Sequence, residues 1–288
     1  SANTSIGYIS IEMVDVQLSN YNDNFRILSV PAAVSISVYG LSGNDNLIIG
    51  NTVNKLEDVD GLVTFYGQGG TDTLTADNSG DVTDCAGYCG QITSLGLSGL
   101  GMGDGILSHP HIYYAVQSGW PANVPPPSAY INNQLATYGA VNSDVENMTV
   151  MLGSGNDGFV VDSSYNGTIL TINGGAGNDV IQISSTVFGL NPNNIDRVNY
   201  VDGSVIVQGG AGNDRIVIVQ DEALNDTFNG GDGADAGGGI VGEKAGGEAA
   251  HDVAEGGPVA DGGVGVLEAG GEFRVGCGSE RRRGIGHG

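Results

Sequence analysis

Short runs of alternating apolar and polar residues come in pairs, each pair centred on an Asp. Nine and seven residues before Asp23, Asp45, Asp72, Asp157, Asp179 and Asp214 stand Val14 and Val16, Ile36 and Val38, Val63 and Phe65, Met148 and Val150, Leu170 and Ile172, and Val205 and Val207. Two and four residues after the same Asp stand Phe25 and Ile27, Leu47 and Ile49, Leu74 and Ala76, Phe159 and Val161, Ile181 and Ile183, and Ile216 and Ile218. All 24 positions are apolar. Period-two alternation on both sides of a turn predicts strand, turn, strand, with one face of each strand buried and intervening residues such as Gln182 facing outward.

The turn itself is Gly-rich. Its fullest copies are Gly174-Gly175-Ala176-Gly177-Asn178-Asp179 and Gly209-Gly210-Ala211-Gly212-Asn213-Asp214. Looser copies keep Gly43 and Asp45, Gly70 and Asp72, and Gly155 and Asp157, while Asp23 has none of the glycines. Gly supplies positive φ without a Cβ clash, Asn tolerates the left-handed region, and Asp can fold its carboxylate onto nearby amides. Such a corner offers carbonyl and carboxylate oxygens, the hard ligands of which Ca²⁺ takes six to eight. The phrase resembles the repeats-in-toxin (RTX, haemolysin-type) nonapeptide, Gly-Gly-x-Gly-x-Asp-x-apolar-x. That resemblance implies a calcium-binding parallel β-roll. The metal candidates are then Gly174, Gly175, Gly177, Asp179, Gly209, Gly210, Gly212 and Asp214, followed by Gly43, Asp45, Gly70, Asp72, Gly155 and Asp157. The spacing departs from the family's tandem repeat: counted on to a truncated copy ending at Asp235, the Asp-to-Asp intervals are 22, 27, 85, 22, 35 and 21 residues. One Gly-Asp turn per circuit of the chain implies ion sites along at most one edge.

Residues 11–50 run parallel to 145–184 without a gap, Asp23 matching Asp157 and Asp45 matching Asp179. Four regions follow: a first β-solenoid unit over 1–84, an irregular spacer over 85–143, a second unit over 144–235, and a Gly-rich tail over 236–288. The second unit carries an expected loop beginning at Asn191. Within the spacer, Trp120, Pro125-Pro126-Pro127 and nearby tyrosines form an aromatic excursion, readable as a cap on the sheet edge or as a sugar platform. In the tail, Gly237 and Gly239 occupy the places where apolar strand residues should stand. Low complexity of this kind predicts no fixed structure, through a flexible linker or a reading-frame error.

Composition narrows the function classes. Formal charge is −24, with only nine Lys plus Arg. Such a surface repels nucleic acid and anionic lipid, both of which need clustered cations. No apolar run has membrane-spanning length. Cys85 and Cys89 are spaced for a small disulfide loop, or with His109 and His111 for a metal, although a chance pairing explains the histidines as well. Arg26, Lys55, Arg197 and Arg215, the only cations before residue 236, are scattered among the repeats, which disfavours an enzyme gripping acidic polymers. Acidic residues that recur at equivalent turns read as scaffolding, whereas a catalytic site should be unique, so no enzyme is expected.

The expectation is therefore an all-β, right-handed parallel β-solenoid with Gly-Asp turns, an irregular insertion and a disordered tail. It would be a calcium-binding structural or adhesive fragment of a large extracellular protein. Its partners would be calcium and cell-surface or matrix polysaccharide or protein, without membrane insertion. The alternatives are an RTX-like module of a secreted toxin or enzyme, and a β-helix enzyme acting on polysaccharide. Extracellular location rests on the resemblance alone.

Overall fold

The computed structural model describes residues 10–93, 96–103, 107, 111–113, 115–117, 141–143, 145–164, 167–183, 201, 203–218, 227–239, 264–267 and 273–275. The described residues contain strands and turns but no helix, and two large, mostly parallel sheets account for nearly all of the strands. The apolar alternation sets their positions. Strands β1 (Met13–Gln17), β3 (Ser35–Tyr39) and β5 (Leu62–Tyr66) precede an Asp and lie in a first sheet. Strands β2 (Asn24–Ile27), β4 (Asn46–Ile49) and β6 (Thr73–Asp77) follow it and lie in a second. The chain thus changes sheet at every Gly-Asp turn and again between turns.

Registers match the sequence pattern residue for residue. Val14 pairs with Ile36 and Ile36 with Val63, while Phe25 pairs with Leu47 and Leu47 with Leu74. Every one of these pairs is parallel, so hairpins across the Gly-Asp turns are ruled out there. The same holds at Asp214, where Val207 pairs with Ile172 and Phe228 while Ile216 pairs with Ile181 and Gly237. Intervals of 22 and 27 residues place equivalent side chains opposite one another because the extra residues leave the ladder between strands.

The spacer does more than interrupt. Strands β7 (Gly90–Ile92), β8 (Gly96–Gly99) and β9 (Ile112–Tyr113) fill the first sheet, β9 parallel to β5 and β8 antiparallel to both β7 and β9. They place Ile92, Leu97 and Ile112 in the core. Strands β10 (Ala115–Gln117) and β11 (Val141–Ser143) form a separate antiparallel pair. The aromatic excursion around Trp120 and the loop at Asn191 lie outside the described residues.

In the second unit the two sheets exchange roles. The strands before each Asp, β12 (Asn147–Met151), β14 (Ile169–Ala176), β16 (Ser204–Ala211) and β18 (Thr227–Asp232), stack on β6 in the second sheet. The strands after it, β13 (Gly158–Val161), β15 (Val180–Ile183), β17 (Arg215–Ile218) and β19 (Ala236–Gly239), continue the first sheet from β7. Gly-Asp turns of the first unit therefore join the first sheet to the second, and those of the second unit join the second sheet back to the first. The expectation of a single edge is corrected: there are two columns, one in each unit, at opposite strand ends.

Twenty of the 24 pattern positions are buried and three more, Val14, Val16 and Phe25, pack half-buried against the core at its open first circuit. The side chain of the last, Ile218, lies outside the described residues. The outward-facing reading of Gln182 is overturned: Gln182 is buried at 3% exposure, and its similarly placed neighbours Val160 and Val217 are buried too, at 0% and 8%. The Tyr88 hydroxyl donates to Gln182 Oε1 over 2.6 Å, so the spacer covers this outer face. Past Asp235, where no order was expected, β19, β20 (Val264–Leu267) and β21 (Phe273–Val275) are strands, the last two antiparallel. The rest of the tail lies outside the described residues.

Candidate functional site

The turns are built by close approach of successive circuits. At Gly177 and Gly212 φ is 130° and 137°, and a Cβ there would strike the carbonyl oxygens of Gly155 and Gly177, respectively. Only Gly satisfies both the positive φ and the lack of room. Stacked this tightly, each turn's polar side chain reaches the backbone of its neighbour.

Two ladders of side-chain to backbone hydrogen bonds result. In the first, each Asp amide donates to the Asp carboxylate one circuit later. Asp23 N–H meets Asp45 Oδ1 at 2.8 Å and Asp45 N–H meets Asp72 Oδ1 at 2.8 Å. In the other column Asp157 donates to Asp179 at 2.8 Å, Asp179 to Asp214 at 2.9 Å, and Asp214 to Asp235 at 2.9 Å. The second ladder runs the opposite way, from an amide back to the Asn one circuit earlier. Asn44 N–H meets Asn22 Oδ1 at 2.8 Å, Asn178 N–H meets Asn156 Oδ1 at 2.7 Å, and Asn213 N–H meets Asn178 Oδ1 at 2.8 Å. Amides that the turn leaves outside the strand ladders are thus answered in both directions.

The other carboxylate oxygen depends on the residue five places before the Asp. Where that residue is Leu18, Asp23 Oδ2 accepts from Ser19 N–H at 2.7 Å and Ser19 Oγ–H at 2.6 Å. Where it is Leu152, Asp157 Oδ2 accepts from Gly153 N–H at 3.0 Å. Where it is Gly40, Gly174 or Gly209, the Oδ2 of Asp45, Asp179 or Asp214 is buried and has no hydrogen-bond donor. A Cβ on those glycines would lie 2.6, 2.5 and 2.5 Å from that oxygen and would also crowd the carbonyl of Gly67, Gly209 or Gly230 in the next circuit. The missing Cβ therefore opens space in which two acceptors converge. Physical consequences are visible in the acidities. Burial pushes the Asp179 carboxyl up to about 7, against the Asp157 amide and aided by the charges of Asp214 and Asp157. Burial likewise raises Asp214 and Asp157, whereas the Ser19 hydrogen bonds lower Asp23.

The predicted metal residues thus sort into two places. Gly43, Asp45, Gly70 and Asp72 stand in the first unit's column. Gly155, Asp157, Gly174, Gly175, Gly177, Asp179, Gly209, Gly210, Gly212 and Asp214 stand in the second's. Among the described residues no three His, Cys, Asp or Glu side chains gather into one cluster. What the turns at Asp45, Asp179 and Asp214 offer a cation is one donor-free carboxylate oxygen each, beside backbone carbonyls. Cys85 and Cys89 are both free thiols, His111 is buried, and His109 lies outside the described residues. Two participants escaped the sequence pattern. Glu146 takes the Asp role above Asp72, accepting its N–H at 2.7 Å, and Asp84 takes the Asn role below Asn156, at 2.8 Å. The Asn preceding Asp in five of the turns was a visible signal for the second ladder. No family model matches the chain, and neither curated proteins nor solved structures give a significant match.

Proposed function

We propose that this chain is a stretch of parallel β-solenoid whose work is structural, as a stalk or adhesive surface of an extracellular repeat protein, and whose Gly-Asp turns take Ca²⁺. The observation that carries the structural reading is the register: intervals of 22, 27, 35 and 21 residues all return equivalent Asp residues to adjacent rungs. A fold that holds register while its loops vary suits a scaffold. Enzymatic use of these carboxylates is disfavoured, because the Oδ1 atoms of Asp45, Asp72, Asp179, Asp214 and Asp235 are committed to backbone amides of the adjacent circuit.

Calcium is supported by the three donor-free oxygens of Asp45, Asp179 and Asp214, each beside a carbonyl of the next circuit. A buried carboxylate oxygen without a donor is unfavourable unless a proton or a cation answers it. Asp45 Oδ2, Asp179 Oδ2 and Asp214 Oδ2 would supply charge, and turn carbonyls the remaining ligands. One carboxylate per turn is a low charge count, which places affinity on the order of 10⁻⁴–10⁻³ M. Ca²⁺ that binds the folded form alone raises the melting temperature by mass action. The test compares thermal unfolding in millimolar Ca²⁺ and in chelator, for the wild type and for Asp179→Asn with Asp214→Asn. Asn keeps the Oδ1 acceptor of the ladder but removes the charge, so the variant should fold and lose most of the calcium-dependent rise. An identical wild-type melting temperature in both buffers would reduce the turns to self-capped corners of a plain solenoid.

A further inference from the structure

The five residues Cys85–Cys89 form a short flap at the spacer's entry, and the flap is pinned at both ends to one neighbouring turn. Cys85 N–H donates to Asn156 O at 2.8 Å, and Cys89 N–H donates to Gly158 O at 2.9 Å. The two anchors flank Asp157. Between them Ala86 and Gly87 are exposed, and the space around Gly87 is open. Anchoring both ends to backbone carbonyls two residues apart on one neighbouring turn holds the two cysteines on the same side of that turn. The Cys85 Sγ–H also reaches Gly87 O at 3.2 Å, and the Cys89 Sγ–H reaches Gly158 O at 3.4 Å. Both cysteines are half-buried rather than sealed in the core. Next along the chain, Tyr88 carries the hydroxyl that covers Gln182 on the sheet's outer face.

We propose that Cys85 and Cys89 are a reversible redox site, oxidised by a low-molecular-weight disulfide to an intramolecular bond that locks this flap over the Asp157 turn. The chemistry balances with glutathione disulfide as oxidant. The Cys85 thiolate attacks one glutathione sulfur, the glutathione S–S bond breaks, and one glutathione thiolate leaves. The Cys89 thiolate then attacks the Cys85 sulfur, expelling the second glutathione thiolate as the protein S–S bond forms. The dithiol loses two electrons, glutathione disulfide gains them, and the two thiol protons end on the two glutathiones. The order follows from the environment. Burial pushes the Cys89 thiol up to about 12, with the adjacent Cys85 thiol adding to the shift, which suits Cys89 to the second attack rather than the first.

The experiment uses the full chain with Cys277→Ser, which leaves only this pair. The protein is equilibrated with glutathione and glutathione disulfide, quenched with acid, alkylated and analysed by mass spectrometry of the peptide holding residues 85–89. The expected product lacks two hydrogens and carries no glutathione. Cys89→Ser should instead retain glutathione on Cys85. Closure should need a less oxidising buffer in the native protein than in urea, by at least a factor of about ten, or roughly 30 mV, because the fold rather than spacing alone holds the thiols together. A native protein that stays a dithiol, that stops at glutathione adducts, or that closes no more readily than the urea-unfolded chain overturns the proposal.

Discussion

The presence or absence of one side chain, five places before it, goes with the state of the Asp in these turns. With Leu at the fifth position before it, the carboxylate folds onto its own turn, as at Asp23 and Asp157. With Gly there, one oxygen is left buried without a donor, as at Asp45, Asp179 and Asp214. The acidity of Asp179 turns this into a pH dependence. Its folded pKa of about 7 lies above the ordinary 3.8, so the stability it confers is fully present below about 3.8 and is lost as pH rises through about 7. Asp157 and Asp214 act in the same direction. Asp23 and Asp81, both lowered, act the opposite way and lose their contribution as pH falls below the ordinary carboxylate range. In chelator, the melting temperature should therefore decline as pH rises between about 4 and 7. Asp179→Asn should flatten that slope; a variant with the wild-type slope would contradict the assignment. Glycine supplies a second check. Gly174→Ala drives a Cβ onto Gly209 O and Asp179 Oδ2 and should cost about 1–3 kcal/mol as overpacking. Gly167→Ala meets nothing within 4 Å and carries only the strain of φ 93°, so urea unfolding should show the smaller loss there, about 1 kcal/mol.

At the scale of strands, alternation was legible wherever a strand faced water on its other side. Val14, Ile36, Leu47 and Ile172 could be placed inward from spacing alone, because burial on one face and polarity on the other is what period two records. The reading failed at Gln182. Sequence periodicity says which residues share a face but not whether a distant segment covers it, and Tyr88 is 94 positions away. Strands β7, β8 and β9 were illegible for a related reason. They are two to four residues long, rich in Gly, and antiparallel at β8, so no period develops. Substitutions separate the two readings of the outer face. Gln182→Asp places a charge in a buried site and should destabilise by about 2–4 kcal/mol, where an exposed position would tolerate it. Tyr88→Phe, losing one hydrogen bond, should cost about 1 kcal/mol in the same denaturant titration.

Across the whole molecule, the least legible feature is the exchange of sheets between the two units. In sequence, residues 11–50 and 145–184 look like copies to be stacked at one corner. In space, the stretch between Asp72 and Asp157 fills the first sheet between β5 and β13 with β7, β8 and β9 and returns the chain half a circuit out of phase. Nothing local records that phase, because turn and strand grammar is identical at either corner. Cross-linking can read it. Asp84 and Asn156 lie on adjacent rungs, the Asn156 amide donating to Asp84 Oδ1 at 2.8 Å. Thr71 and Asn156, which a simple repeat would bring together, belong to opposite strand ends, a five-residue strand or about 16 Å apart. A disulfide needs Cα atoms roughly 4.4–6.8 Å apart, which adjacent rungs at about 4.8 Å satisfy and opposite corners do not. In a background with Cys85, Cys89 and Cys277 changed to Ser, Asp84→Cys with Asn156→Cys should oxidise to an intramolecular disulfide. Thr71→Cys with Asn156→Cys should stay reduced under the same conditions. The reverse outcome, with residues 71 and 156 joined, would return both units to a single column of turns and remove the exchange of sheets.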